Sequence, residues 1–186
     1  MSMTDNQSRG FVNHVFLGEI KYQSQFAARA AEQLQACTEN FDPIGIWSAV
    51  QSILIAAANV SKILWPSRAE YRARGAALRA LLAIEGTNAL SDRKFRNHFE
   101  HYDERIEDWF SSTHSVNYID QIIGSPPGFL RDFPQNAQRG YEPSTQTLTF
   151  RGESMNLGSI LRAFDEIRQK CRGLTLVRPH RTSAAS

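Results

Sequence analysis

The sequence predicts an all-α fold, an antiparallel four- to five-helix bundle with a small extended or β-hairpin insertion before the last helix. Three observations carry this expectation. Apolar residues recur at steps of three and four through two long stretches, 12–37 and 43–64, which places them on one face of a helix. Helix-starting and helix-stopping residues at Asp42-Pro43, Pro66-Ser67 and Ser91-Asp92 divide the chain with short links, and short links favour antiparallel neighbours. From 113 to 155 the helical period gives way to Ser125-Pro126-Pro127-Gly128, Pro134 and the alternating Thr147-Leu148-Thr149-Phe150, a change to turns and extended pieces.

Residues 1–11 are expected to be disordered. The first helix runs from about 12 to 37, with Phe16, Ile20, Ala27, Ala30, Leu34 and Cys37 near helical spacing, and ends before Asn40. Asp42 supplies an N-cap and Pro43 a first position for the second helix, where Ile46, Val50, Ile53, Ala57, Val60 and Leu64 line one face. Trp47, Leu54 and Ile55 add apolar surface elsewhere on it, the composition of a central helix. Pro66 stops it, and Ser67 with Glu70 has capping-box spacing for a third helix to about 84, with Gly86 as its C-terminal cap. Ser91 is expected to cap a fourth helix that runs to about 110. A fifth, from about 156 to 172, returns Leu157, Ile160, Leu161, Phe164 and Ile167 to the bundle, leaving 173–186 as a basic, mobile tail. Residues 12–172 then form a single domain. With 41% hydrophobic residues in 186, the chain can fill one core and is too short to need two.

The formal charge of +2, from 21 basic and 19 acidic side chains, neither requires nor excludes a nucleic-acid partner, so distribution must decide. Arg68, Arg72, Arg74 and Arg79 face Glu70 alone, and from Arg168 onward five basic residues meet no acid. Such runs suit phosphate contact, although a solvated face is their commoner use. Cys37 and Cys171 form no CxxC pair, which points away from a disulfide framework or structural zinc and toward a reducing compartment. The polar start MSMTDNQSRG lacks a signal peptide's apolar centre, and the most apolar run, 53–60, is far short of a bilayer span. A soluble, cytoplasmic protein without membrane contact is expected.

The stretch 93–109, RKFRNHFEHYDERIEDW, carries the chemistry. At ~100° per residue Phe95, Phe99, Tyr102, Ile106 and Trp109 fall on one stripe that belongs to the core. On the same wheel Asn97 and His101 stand one turn apart on the opposite side, with Arg96 about 140° from His101. Arginine and histidine so placed suit phosphodiester cleavage: imidazole moves a proton near neutrality, and guanidinium holds a phosphate oxygen and the charge that develops on it. In RNA the 2′-hydroxyl is itself the nucleophile, so this scheme calls for no metal or cofactor. Arg93 and His98 offer a competing register, but His98 lies beside the apolar stripe and reads as a packing residue. A charge-rich, solvated helix face remains the competing reading of the whole stretch, and Glu100, Asp103, Glu104, Glu107 and Asp108 count against an RNA site. One turn apart on the second helix, Asn59 and Lys62 could reach the same cleft; buried hydrogen bonding by Asn59 and plain exposure of Lys62 are the alternatives.

Arg96-Asn97-His98-Phe99-Glu100-His101 resembles the R-N-x-x-x-H signature of the HEPN superfamily, set on a late helix of a helical bundle. The surrounding FRNHFEHYDERIEDW, the preceding ILIAAANVSKILWP and the following TLTFRGESMNLGSIL are also similar to this group, so the resemblance covers most of 12–172. The 113–155 insertion departs from a minimal bundle of this kind. The resemblance implies a metal-independent endoribonuclease, of a toxin, antiphage or RNA-processing kind, with a composite site at a homodimer interface. Arg96 would stabilise phosphate, His101 would act as acid or base, and Asn97 would orient the substrate or the histidine. RNA would be the substrate, and an antitoxin or a nucleotidyltransferase the kind of protein partner. The alternative from another class is a non-catalytic interaction or dimerisation module that binds a protein or a nucleotide.

Overall fold

The computed structural model describes residues 5–112, 117–125, 128–130 and 134–173. Among these the chain forms helices α1 (Asp5–Glu39), α2 (Pro43–Leu64), α3 (Arg72–Leu81), α4 (Lys94–Glu100), α5 (Tyr102–Ser112) and α6 (Leu157–Gly173). Strands β1 (Ile122–Ile123), β2 (Arg139–Glu142), β3 (Thr147–Phe150) and β4 (Glu153–Asn156) make one four-stranded mixed sheet in the order β1-β2-β3-β4. The all-α expectation is therefore corrected to a mainly helical fold with a sheet built into it.

The sheet escaped the periodicity for physical reasons. Only β3 alternates between buried and half-buried positions, whereas β2 is buried at Arg139, Gly140 and Tyr141 and so lacks a solvent face. β1 has two residues, and its parallel pairing of Ile122 with Gly140 joins positions that no local pattern links. β3 and β4 close through Arg151 and Gly152, both at positive φ (47° and 85°), as a type I′ hairpin turn requires. Arginine is unfavourable there, but its guanidinium is anchored on the Gln138 side chain at 2.7 Å and on the Arg105 carbonyl. Gly140 is required where β2 passes β3, since a Cβ would lie 2.4 Å from Thr149 Oγ1.

One continuous core joins helices and sheet. Ile20, Ala27, Ala30 and Leu34 of α1 meet Ile46, Val50, Ile53, Val60 and Leu64 of α2, while Leu157, Ile160, Phe164 and Ile167 of α6 close the other side with Leu148 and Phe150. Each such valine, leucine, isoleucine or phenylalanine contributes about 1.5–3 kcal/mol by leaving water. α2 opens as its sequence predicts, with Pro43 in the first turn and the Asp42 carboxylate accepting from Gly45 N–H at 3.0 Å. By length and composition α2 could cross a bilayer, but 67% of its apolar window is buried inside the fold. α1 begins at Asp5, ahead of the first apolar position expected for it.

Other boundaries differ for local reasons. The Ser67–Glu70 capping box does not form; a 3-10 turn over Ala69–Tyr71 precedes α3 without a side-chain cap, and Glu70 pairs with Arg68 instead. α3 ends at Leu81 in a Schellman arrangement, Ile84 N–H on Arg79 C=O and Ala83 N–H on Ala80 C=O, so Ala83 at φ 47° takes the position assigned to Gly86. Ser91 closes a 3-10 turn, and Asp92 accepts from Lys94 N–H at 2.8 Å ahead of α4. The single fourth helix expected over 91–110 is two helices, α4 and α5, divided at His101 (φ −113°, ψ 43°).

The arginines at 74 and 79 have a structural use. α2 ends beneath α3, where Gly75 lets the helices touch: a Cβ there would lie 2.7 Å from Leu64 C=O. Arg74 reaches the carbonyls of Lys62 and Ile63, and Arg79 that of Leu64. The two guanidiniums thus satisfy the orphan end of the central helix and complement its dipole.

Candidate functional site

The division at His101 reshapes the predicted motif. Hydrogen bonds still bridge it, His101 N–H to Asn97 C=O and Arg105 N–H to His101 C=O, each 3.1 Å, so α4 and α5 meet at a bend rather than a loop. Asn97 is exposed one turn before the bend, and the His101 ring sits on it, about half exposed (51%). The continuous-wheel angle between Arg96 and His101 no longer applies, and the Arg96 side chain lies outside the described residues. The 173–186 tail falls there too beyond Gly173.

His101 Nδ1 lies 3.3 Å from the Glu104 carboxylate, one turn into α5. A carboxylate there favours the tautomer with the proton on Nδ1, which leaves the Nε2 lone pair as the acceptor a general base needs. Glu104, counted above among acids that oppose an RNA site, lies beside the histidine, both side chains being largely exposed. The i,i+3 spacing was its available signal.

Three residues earlier the surroundings reverse. His98 stacks on Phe150, ring centroids 4.5 Å apart, with Nε2 3.1 Å from Glu153, whose other oxygen takes Lys94 at 2.9 Å. These two partners hold the Glu153 carboxyl below the usual carboxylate range, Lys94 most strongly. Its 15% side-chain exposure fits the packing role predicted for His98.

Behind the bend lies the most constructed polar cluster among the described residues. Arg139 donates Nε–H and Nη2–H to the two oxygens of Asp120, and its backbone N–H to the first of them at 3.1 Å. The guanidinium lies 3.9 Å from the centre of the Tyr102 ring, and the Tyr102 hydroxyl meets that of Tyr118 at 2.7 Å. Burial drives the Tyr102 hydroxyl pKa well upward, with its hydrogen bonds to Tyr118 and Asp120 adding to it. Burial also pushes Asp120 upward, but the hydrogen bonds from Arg139 and Tyr102 and the guanidinium charge outweigh it, and the carboxyl titrates below its ordinary range. This cluster fastens α5 to the sheet. Sequence reasoning missed it because its members lie far apart in the chain.

The accessory residues find partners on different elements. Asn59 donates to Gln23 of α1 at 3.3 Å, the interhelix hydrogen bond that was its alternative. Lys62, exposed, pairs with Glu100 of α4 at 3.3 Å, and Glu100 borders a groove of about 250 Å³ that is also lined by Gln51, Leu54, Ile55 and Phe99. Among the described residues no group of three or more His, Cys, Asp or Glu side chains is placed to hold a metal ion. Compared with family models, curated proteins and solved structures, the chain matches none.

Proposed function

We propose that the chain is a metal-independent endoribonuclease of HEPN type, acting at a composite site to which two copies each bring Arg96 and His101. The observation that carries the reading is the half-exposed His101 at the bend, its Nδ1 held by Glu104. Nε2 takes the proton of an RNA 2′-hydroxyl, whose oxygen attacks the adjacent phosphorus; the leaving 5′-oxygen is protonated by the same or the partner's imidazole. Arg96 neutralises the charge that builds on the phosphate oxygens, and exposed Asn97 orients the substrate.

The test is incubation of purified protein with total RNA and a chelator, beside Arg96→Ala and His101→Ala, read on a denaturing gel. Cleavage by the parent alone is expected, with a loss of at least about 100-fold in either variant. RNA left intact in every lane would instead favour an interaction module, a reading to which the exposed apolar residues of α1 lend weight.

A further inference from the structure

The outward face of α1 is unusually apolar. Phe11, Val15, Tyr22 and Phe26 are 62%, 54%, 59% and 57% exposed, although each is a residue that gains by leaving water. At ~100° per residue the four fall within about 60° of one another, turned away from Ile20, Ala27 and Leu34, which face α2. A scatter of single apolar residues would need no explanation, whereas a contiguous stripe along a helix does.

The order of the stripe names its occupant. Phe11 pairs with Phe26, and Val15 with Tyr22, about one midpoint, the Gly18–Glu19 peptide. A sequence that reads the same way about its centre is complementary to itself when two copies run antiparallel, which is the condition for a twofold, isologous contact. Gly18 stands at that centre. A Cβ added there meets nothing within 4 Å, so no internal contact calls for glycine, which weakens a helix relative to alanine. Between two copies it would let the backbones approach.

We infer that α1 is a self-association surface on which a second copy of the chain packs antiparallel, Phe11 against the partner's Phe26 and Val15 against the partner's Tyr22. The area is sufficient. Aromatic side chains bury about 150–250 Å² each, and three per copy, more than half exposed, together with Val12 and Val15 bring the contact to on the order of 1,000 Å², where stable interfaces begin. This face is separate from α4, and the inference does not rest on the ribonuclease reading.

The full chain should self-associate in sedimentation, and Phe26→Glu should raise the dissociation constant of this contact about 30-fold or more while leaving the chain's circular dichroism unchanged. Register is read by mixing Val15→Cys chains with Tyr22→Cys chains under mild oxidation, with the unsubstituted chain alongside to report on Cys37 and Cys171. The mixture should give disulfide-linked heterodimers that neither variant forms alone. A monomer at high micromolar concentration would overturn the proposal, as would a dimer indifferent to Phe26→Glu. Crosslinking of Val15→Cys to itself would replace the antiparallel register with a parallel one and equally contradict it.

Discussion

His98 and His101 stand one helical turn apart in the same charged stretch, and the fold treats them in opposite ways. His98 is pressed against Phe150 and tied to Glu153, so its ring is part of the joint between α4 and the sheet. His101 caps α4 at the bend, touches Glu104 and stays half exposed. The difference shows that residue type and spacing do not separate a building histidine from an available one. What separates them is the strand beneath: β3 and β4 deliver Phe150 and Glu153 to His98, whereas His101 meets Glu104 of the next helix.

If this division is correct, substitutions on the inner side should cost stability and those on the outer side should not. Phe150→Ala removes a side chain 2% exposed that stacks on His98 and packs edge-on to Tyr102, and should cost about 4 kcal/mol in urea unfolding. Asp120→Ala leaves the Arg139 guanidinium without its carboxylate and should cost about 3 kcal/mol, even though neither residue lies in the motif. The Asp120 contribution has a defined pH dependence. Its carboxyl is held below its unfolded range, so the stability it lends is complete above the unfolded value near ~3.9 and is lost as pH falls through the folded value. The gap in unfolding free energy between the parent and Asp120→Asn should therefore stay constant from neutral pH to mild acid and close in strong acid. Arg79→Met, which uncovers the Leu64 carbonyl at the end of α2, should cost about 1–2 kcal/mol by thermal or urea melts. His101→Ala, on the open side, should change stability by less than about 0.5 kcal/mol.

The helices that could be read in advance are those with long local patterns. α2 has an Asp-Pro start and an unbroken apolar face, and α6 begins directly after Asn156, whose side chain accepts from Ser159 N–H. The bend at His101 could not be read, because the apolar stripe Phe99, Tyr102, Trp109 keeps its inward direction across it. The sheet was legible only at Thr147–Phe150, since buried β2 has no polar face and the Arg151 turn uses a residue that sequence preference would not place at positive φ. Of the site, His101 and Asn97 were legible as surface residues and His98 as a packed one. Glu104 was visible only as a charge, and the grouping of Asp120 with Arg139 and Tyr102 depends on contacts between distant segments. The arginine run divided: Arg74 and Arg79 serve the end of α2, while Arg68 pairs with Glu70 in solvent.

The central claim is that the outer histidine acts and the inner one builds. It is tested most directly by measuring cleavage of total RNA in chelator by His98→Ala and His101→Ala, each at a temperature where its circular dichroism matches the parent. The account predicts cleavage by the parent and by His98→Ala, the latter with a lowered melting temperature, and none by a stable His101→Ala. Cleavage that persists in His101→Ala, or that disappears in a folded His98→Ala, would contradict it.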